Sequence, residues 1–252
     1  MRRPPPPPPP ASSPRSAWAH QGAPIIEAAG VVKELGTEIK TRVLHDIDLL
    51  VHEREFLALT GFSGSGKSTL LYLLGALDRP TAGQIRIDGV DVAALDDNAR
   101  AGLRNQKLGF VFQFHFLLPE FTALENVMLP MLRRGRHGAA DIELRASHAL
   151  EQVGLADFLQ RRPNQLSGGQ QQRVAVARAI ANEPRIVLAD EPTGSLDTKN
   201  GHVVIELLER LVHELGICVV MVTHERSFAA RASRQIVLRD GRIEHDIDQR
   251  PR

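Results

Sequence analysis

Gly61-Phe62-Ser63-Gly64-Ser65-Gly66-Lys67-Ser68 is the most informative segment of this 252-residue sequence. It meets the pattern G-x-x-x-x-G-K-S, in which a strand passes through a glycine-rich turn into a helix. The flanking sequence supplies both elements, because the apolar run at 56–59 predicts a strand and residues 67–77 predict a helix. We therefore expect a strand, a turn and a helix built around this segment.

The glycine-rich turn has the chemistry of a polyphosphate site. Its glycines allow backbone N–H groups to curl around an anion, and the helix that follows presents its positive end to the same anion. Lys67 adds a point charge, and the Ser68 hydroxyl can ligate magnesium. A merely flexible glycine loop is the alternative, but the motif and its context agree. The phosphate-contacting candidates are Gly61, Phe62, Ser63, Gly64, Ser65, Gly66, Lys67, Ser68 and Thr69.

A second candidate site follows the apolar run at 186–189, where a predicted buried strand ends in Asp190 and Glu191. Ligands lie at such strand ends in parallel sheets. Asp190 is expected to hold magnesium, directly or through water, and Glu191 to accept a proton from the water that attacks a γ-phosphate. Alternatively, both acids belong to a solvated strand end, a reading that the upstream phosphate loop disfavours.

A third candidate is Leu166-Ser167-Gly168-Gly169-Gln170, which runs into an amphipathic helical pattern. Ser167 alone is explained as an ordinary N-cap. Two glycines at a helix start weaken the helix unless the backbone must lie close to something. The segment therefore predicts a second helix terminus that contacts phosphate.

The remaining patterns predict an α/β fold. Buried strands at 108–112, 186–189 and 217–223 alternate with helices, which favours a mostly parallel sheet covered by helices. Residues 84–92 alternate about an Asp-Gly pair and predict a β-hairpin in a separate antiparallel element. Thr122 and Glu125 have capping-box spacing, and a second helix is expected over 139–153. These two helices predict an inserted helical lobe.

The ends of the chain differ from its middle. Residues 1–23, with prolines at 4–10, predict a disordered arm of polyproline II and coil; a partner-docking role for the prolines is a less favoured alternative. One folded domain is expected over 24–248, with a tail at 249–252. We find neither a secretory signal nor an apolar stretch near the roughly 20 residues that span a bilayer, so a cytoplasmic chain is expected.

Composition narrows the class of protein further. Lysine plus arginine number 31 against 30 acids, for a formal charge of +1, so no global field attracts nucleic acid and no nucleic-acid partner is expected. Cys218 is the only cysteine, which excludes an internal disulfide and a cysteine zinc site. It lies in an apolar run and is expected in the core.

The segment from Leu166 to Gln170 resembles the signature motif of ABC ATPases, and the likeness extends over residues 25–245. Gln113 then falls at the Q-loop glutamine, Asp197 ends the D-loop at 195–197, and His224 falls at the switch histidine. The resemblance implies a P-loop NTPase (RecA-like) core, a helical lobe at about 114–165, and ATP and Mg²⁺ as cofactors.

Catalytic roles for individual residues also follow from this resemblance. Glu191 would drive hydrolysis, His224 would contact the γ-phosphate and help to position the attacking water, and Gln113 would sense magnesium. The family works as a head-to-tail homodimer, so ATP on one copy would be covered by Ser167, Gly168, Gly169 and Gln170 of the other.

Within the family, the stretches at 103–110, 113–115 and 117–127 are most similar to the ATPases of lipoprotein-releasing complexes. ATPases of macrolide exporters and of a cell-division complex are less similar and remain alternatives. The resemblance implies a peripheral protein on the cytoplasmic face of the inner membrane, bound to integral membrane permease subunits. The groove for such partners is expected among five apolar residues that alternatively belong to the lobe core: Phe114, Phe116, Leu117, Leu118 and Phe121.

One position departs from the family pattern. An aromatic residue that stacks on adenine usually precedes the phosphate loop, and Leu35 takes that place here.

Two alternatives from other classes are disfavoured. A soluble ABC ATPase that acts on DNA or ribosomes would carry a long coiled coil or two ATPase units, and a nonhydrolysing interaction protein would not need Glu191 and His224.

Overall fold

A computed structural model gives the structure of residues 24–250. The predicted proline-rich arm and the last two residues of the predicted tail lie outside the described residues. Within the described range the chain forms two β-sheets and a helical lobe. None of the described helices is both long enough and apolar enough to cross a membrane.

The strands alternate with the helices along the chain. The strands are β1 (Pro24–Leu35), β2 (Thr41–His52), β3 (Phe56–Gly61), β4 (Ala82–Ile87), β5 (Val90–Asp91), β6 (Leu108–Phe112), β7 (Ile186–Asp190), β8 (Cys218–Val222), β9 (Arg234–Arg239) and β10 (Arg242–Asp248). The helices are α1 (Lys67–Leu74), α2 (Asp97–Lys107), α3 (Ala123–Arg134), α4 (Ala139–Gln152), α5 (Gly168–Ile180), α6 (Thr198–His213) and α7 (Arg226–Ala229).

The larger sheet has six strands in the order β10-β9-β3-β8-β7-β6. All neighbouring pairs are parallel except β10 with β9, which are antiparallel. Every residue of β8 is buried, as expected for a parallel strand covered on both faces. Phe112 pairs with Asp190, and Asp190 pairs with Val222, so the carboxyl ends of β6, β7 and β8 reach one edge of the sheet together. The prediction of a mostly parallel sheet is confirmed.

The smaller sheet is antiparallel, with the order β2-β1-β4-β5. It contains the predicted hairpin, because β4 and β5 pair on either side of residues 88 and 89. The two long strands β1 and β2 add most of its area, and their register shifts at several points. This sheet places the start of β2 beside the glycine-rich turn, because a Cβ on Gly66 would lie close to Val43 and Leu44.

The lobe consists of α3, α4 and the turns that lead to α5. Both predicted helix starts are confirmed in detail, since Thr122 and Glu125 form a capping box at α3 and Ser167 and Gln170 form another at α5. One hydrophobic cluster runs without a break from lobe residues such as Val127 into sheet residues such as Val187. The lobe therefore shares its core with one face of the larger sheet.

Helix α1 is shorter than the sequence pattern predicts. It ends at Leu74, three residues before the expected end, with Gly75 as its C-cap and Ala76 at a φ of +53°. A Cβ on Gly75 would lie 2.7 Å from side-chain atoms of both Leu188 and Phe110. The helix thus stops where its backbone meets the sheet.

Candidate active site

The turn between β3 and α1 has the backbone that a phosphate loop needs. Gly61 has a φ of +138°, and a Cβ there would lie 2.1 Å from the carbonyl oxygen of Leu238. Only glycine fits such a position. The buried Lys67 donates from Nζ to the carbonyl oxygens of Gly61, at 3.0 Å, and Phe62, at 2.7 Å. The ammonium group is therefore held inside the curl of the turn.

Strand β7 delivers Asp190 to the start of α1. The Ser68 hydroxyl donates to Asp190 Oδ1 at 2.9 Å, so the two predicted magnesium ligands are neighbours. Oxygen donors of this kind suit Mg²⁺, which takes one or two protein ligands and otherwise phosphate oxygens and water. No cluster of three or more His, Cys, Asp or Glu side chains suited to a metal occurs among residues 24–250. Burial lowers the pKa of Lys67, and the charges of Glu191 and Asp190 oppose that shift.

Tyr72 joins this group, although the sequence interpretation did not identify it. Burial, followed by a hydrogen bond to Asp190, raises the pKa of Tyr72 to about 12. The hydroxyl therefore stays protonated near neutral pH and donates to the carboxylate that also binds Ser68. The spacing of four residues between Ser68 and Tyr72 on α1 was the available signal, but the contact depends on β7 lying beside that helix.

Glu191 and His224 meet at the edge of the sheet. His224 Nδ1 lies 3.1 Å from Glu191 Oε2. Glu191 has a φ of +47°, a left-handed conformation that costs a non-glycine residue about 1–3 kcal/mol and recurs at active sites. Its backbone N–H donates to the carbonyl oxygen of Val222 at 3.0 Å, which ties the residue to β8. The structure thus brings together the two residues predicted to act on the attacking water.

A cavity of about 550 Å³ lies between the glycine-rich turn and the pair formed by Glu191 and His224. Glu191 and His224 line one side, and Val43 at the start of β2 lines another. The described residues that line it include none of the segment from Ser167 to Gln170. The rest of its lining consists of predicted phosphate-contacting residues: Gly61, Ser63, Gly64, Gly66, Lys67, Ser68 and Thr69.

Two predicted members of the turn lie outside that lining. The side chain of Phe62 is 76% exposed and faces a neighbouring cavity that it shares with His224. The side chain of Ser65 is buried, and its Oγ has no hydrogen-bond partner among the described residues. Neither side chain therefore lines the cavity, and a contact of these two residues with phosphate stays a prediction.

The glycine pair at the start of α5 has two different environments. Ser167 accepts from the backbone N–H of Gln170 at 3.3 Å, and a Cβ on Gly168 would meet only Leu196, at 3.7 Å. A Cβ on Gly169 would lie 2.3 Å from Asn200 Oδ1. Packing inside the subunit therefore accounts for Gly169, whereas nothing in the subunit requires a glycine at 168.

The segments after β6 and β7 touch each other. Gln113 follows Phe112 at the end of β6, and its backbone carbonyl accepts from Ser195 Oγ at 2.9 Å. The side chain of Gln113 packs closely against Gly194. The predicted Q-loop glutamine and the predicted D-loop are thus in direct contact within one subunit.

Asp197 acts as the N-cap of α6. Its carboxylate accepts from the backbone N–H of Asn200 at 2.9 Å and from the Asn200 side chain at 2.6 Å. These bonds lower the pKa of Asp197. The carboxylate is therefore ionised and fixed at the helix terminus.

Two further side chains link α5 to the site, and the sequence interpretation assigned neither of them to it. The buried Gln172 donates from Nε2 to the carbonyl oxygens of Phe112, at 3.1 Å, and Pro192, at 2.6 Å. His115 is half-buried, its ring hydrogen-bonds to the backbone of Gly168, and burial lowers its pKa. Both contacts join distant parts of the chain, so no local pattern revealed them.

The fold and the geometry of this site define a phosphate-loop ATPase with a parallel sheet. The ABC transporter family matches residues 44–194. An ATP-binding protein of a lipoprotein-releasing system, LolD 1 from Chlorobium chlorochromatii, is 50% identical over 213 residues, covering 84% of this chain and 87% of that protein. LolD from Anaeromyxobacter dehalogenans is 54% identical over 224 residues, covering 88% of this chain and 94% of that protein.

Solved structures give the same result. A dimeric post-hydrolysis state of the ATP-binding cassette MJ0796, bound to ADP and Pi, has a TM-score of 0.83 at 43% identity and covers 90% of this chain and 99% of that one. CbiO1 from Clostridium perfringens has a TM-score of 0.81 at 25% identity, covering 90% of this chain and 89% of that one. The chain belongs to the ABC transporter family and is an ATP-binding, ATP-hydrolysing member of it.

Proposed function

We propose that this chain is the ATPase subunit of a lipoprotein-releasing transporter and works as a head-to-tail homodimer. Support for the cargo comes from the two LolD proteins, which are 50% and 54% identical to it over most of their length. The observation that carries the dimer is the lining of the nucleotide cavity, in which the segment from Ser167 to Gln170 has no part. A second copy supplies that segment.

Each residue of the half-site has a distinct task in this proposal. The backbone of the glycine-rich turn and Lys67 hold the triphosphate. Ser68 and Asp190, with Gln113, hold Mg²⁺, which neutralises developing phosphate charge when bound. Glu191 accepts the proton of the attacking water.

His224 and the partner copy complete the site. His224 contacts the γ-phosphate, and its 3.1 Å contact with Glu191 keeps the acceptor close to that phosphate. Gly168 and its neighbours in the second copy, together with Asp197, cover the nucleotide. ATP favours the closed pair because it makes contacts there that the open pair lacks.

Membrane subunits of the LolC/LolE type bind the lobe side of the chain at the cytoplasmic face of the inner membrane. Phe114 and Phe116 are 65% and 64% exposed, and Leu118 and Phe121 are also exposed, whereas Leu117 packs against the core. Exposed apolar residues in such number mark an interaction surface. The alternative that these side chains belong to the lobe core therefore holds for Leu117 and not for the four exposed residues.

The role of Glu191 is tested by Glu191→Gln. Loss of a general base lowers a rate by about 10²- to 10⁴-fold, so phosphate release should fall to background while ATP binding persists. Phosphate release and nucleotide binding are measured together, with Glu206→Gln on the exposed face of α6 as the control. Equal rates for Glu191→Gln and the wild type would remove Glu191 from the mechanism.

The cargo is tested separately by reconstitution. The chain is combined in proteoliposomes with the membrane subunits of the Anaeromyxobacter dehalogenans lipoprotein-releasing system, and release of a lipoprotein to a soluble acceptor is followed. ATP-dependent release supports the proposal. Binding without release would point to one of the other family members, an exporter or a cell-division complex.

A further inference from the structure

A cavity of about 500 Å³ lies at the amino ends of two neighbouring strands of the larger sheet. Pro184 and Arg185, which precede β7, and residues 215–217, which precede β8, line it together with part of α4. Its volume falls within the range of about 300–1,000 Å³ that is usual for ligand cavities. The nucleotide site is at the carboxyl ends of the same strands, so the two sites lie at opposite edges of the sheet. We call this cavity the amino-edge cavity.

The larger part of the lining of the amino-edge cavity is apolar. Leu215 is 48% exposed, so an apolar group that enters the cavity would remove it from water, and that burial favours entry. The other apolar side chains of the lining are buried in the subunit: Ile25, Ala149, Ile180, Ala181, Pro184 and Ile217.

Two ion pairs supply the charged part of this lining. Arg145 pairs with Glu183 at 2.8 Å, and Arg185 pairs with Glu53. The carboxylates of Glu183 and Glu53 are 80% and 53% exposed, so each keeps oxygen lone pairs for a further donor. A charged ligand would compete with these ion pairs, whereas a neutral N–H donor would not. The lining therefore suits an apolar group that carries one neutral donor.

Tryptophan is the side chain with these properties. Its ring is large and apolar, its indole N–H is a donor only, and its face attracts an arginine guanidinium. The sequence contains one tryptophan, Trp18, which is the only large apolar residue between positions 2 and 23. Alanine precedes and follows it, so its immediate neighbours are small.

Trp18 lies outside the described residues, but the chain that follows it leads to the cavity. Ile25, the second residue of β1, lines the cavity, and Trp18 is seven positions before it. Seven residues of extended chain span at most about 25 Å, so Trp18 can reach a cavity that Ile25 itself lines. So short a connection also gives the side chain a high effective concentration at the cavity.

We propose that the N-terminal arm, residues 1–23, docks on its own subunit through Trp18, which enters the amino-edge cavity. The indole ring packs on Leu215, and its N–H donates to the carboxylate of Glu183 or Glu53. Because α4 and residues 215–217 both line the cavity, the docked arm links the helical lobe to the sheet. The inference goes beyond the proposed function and does not depend on it, since the linings of this cavity and of the nucleotide cavity share no described residue.

The test uses the fluorescence of the full chain, in which Trp18 is the sole tryptophan. The emission maximum and the quenching by acrylamide are measured for the wild type, for Leu215→Glu and for the control Leu144→Glu. Leu144 is 69% exposed on α4 and is not part of the cavity lining. Neither leucine belongs to the nucleotide site, so ATP hydrolysis should match the wild type in both variants and shows that they are folded.

The wild type should emit at a shorter wavelength than the same protein unfolded in urea, and acrylamide should quench it several-fold less. Leu215→Glu should shift the emission and the quenching towards those of the unfolded protein, because a carboxylate loses its hydration if the ring packs on it. Leu144→Glu should behave as the wild type. A contact within one subunit does not depend on dilution, so each value should be the same at every protein concentration.

Hydrogen exchange of the amide groups gives an independent measurement, and it decides alone if Leu215→Glu does not fold. Trp18→Ala should speed exchange at residues 215–217 and at the end of α4, because these segments lose a packed side chain. The glycine-rich turn, at the opposite edge of the sheet, should exchange at the wild-type rate.

Three results would overturn the inference. The first is a wild-type emission equal to that of the unfolded protein. The second is equal quenching of the wild type and Leu215→Glu, together with unchanged exchange in Trp18→Ala. The third is a short-wavelength emission that is lost on dilution, which would assign Trp18 to a second copy of the chain.

Discussion

Leu35 takes the place at which the family resemblance predicts an aromatic platform for adenine. It is the last residue of β1, pairs with Thr41 and is 43% exposed, so a larger side chain has room there. We predict that Leu35→Tyr tightens ATP binding, because stacking on an aromatic ring is worth about 1–3 kcal/mol per base. Calorimetric titration with ATP measures the change, and tripolyphosphate, which has no base, should bind both proteins equally. An unchanged dissociation constant for ATP would show that the residue does not face adenine.

Gln172 links two segments of the candidate site through its single amide nitrogen. That nitrogen binds the carbonyl of Phe112, which precedes Gln113, and the carbonyl of Pro192, which follows Glu191. We predict that Gln172→Met, which keeps the shape and loses the donor, costs about 1–3 kcal/mol of stability. The turnover number should fall more than the affinity for ATP, because Gln113 and Glu191, which adjoin the two carbonyl groups, are predicted catalytic residues. Urea unfolding and steady-state kinetics test this, and full turnover would exclude a positioning role.

At the level of helices and strands, Asn126 organises the loop that precedes α3. It is fully buried, and its side chain binds the backbone of Leu118 through both N–H and C=O, and also the carbonyl oxygens of Phe121 and Thr122. Asn126→Leu leaves these groups unpaired, so we predict a loss of about 2–4 kcal/mol in the free energy of unfolding. Thr122→Ala, which removes only the N-cap, should cost about 1 kcal/mol. Urea titration compares the two, and equal losses would contradict the role of Asn126.

The elements that the sequence predicted well are those with local signals. Capping residues placed the starts of α3 and α5, and uninterrupted apolar runs placed β6, β7 and β8. The sequence interpretation did not delimit β1 and β2, because shifts of register interrupt their alternation. It also missed β9 and β10, and most side chains of β10 are exposed, so that strand has no apolar pattern.

The residues of the candidate site also differ in whether a local pattern revealed them. The phosphate loop, Asp190 and Glu191 were predicted because each lies in a motif or at a strand end, and His224 was predicted because the family resemblance indicated it. Tyr72 and Gln172 were not, because their contacts with Asp190 and Phe112 exist only after strands and helices pack together. A local sequence pattern therefore predicts the residues that are expected to contact the ligand more readily than the residues that position them.

For the whole molecule, the two glycines that begin α5 have different roles. Packing inside the subunit requires Gly169, whereas we assign Gly168 to the contact between two copies. Gly169 is required inside the subunit, since a Cβ there would overlap Asn200, which Asp197 holds in place at 2.6 Å. Gly168 has open space, with Leu196 at ordinary contact distance. If two copies close over ATP, the surface at Gly168 is the one that faces the triphosphate of the other copy.

We therefore predict that Gly168→Asp leaves the subunit folded and prevents dimer formation. Aspartate at the first position of α5 suits the positive end of that helix, so the melting temperature should stay the same or rise. In the Glu191→Gln background the carboxylate would repel the triphosphate of the second copy, and ATP should no longer double the mass measured by light scattering. Gly102→Asp, an open position on α2, adds the same charge elsewhere and should still dimerise. A Gly168→Asp protein that dimerises as well as this control would place the nucleotide away from the signature segment.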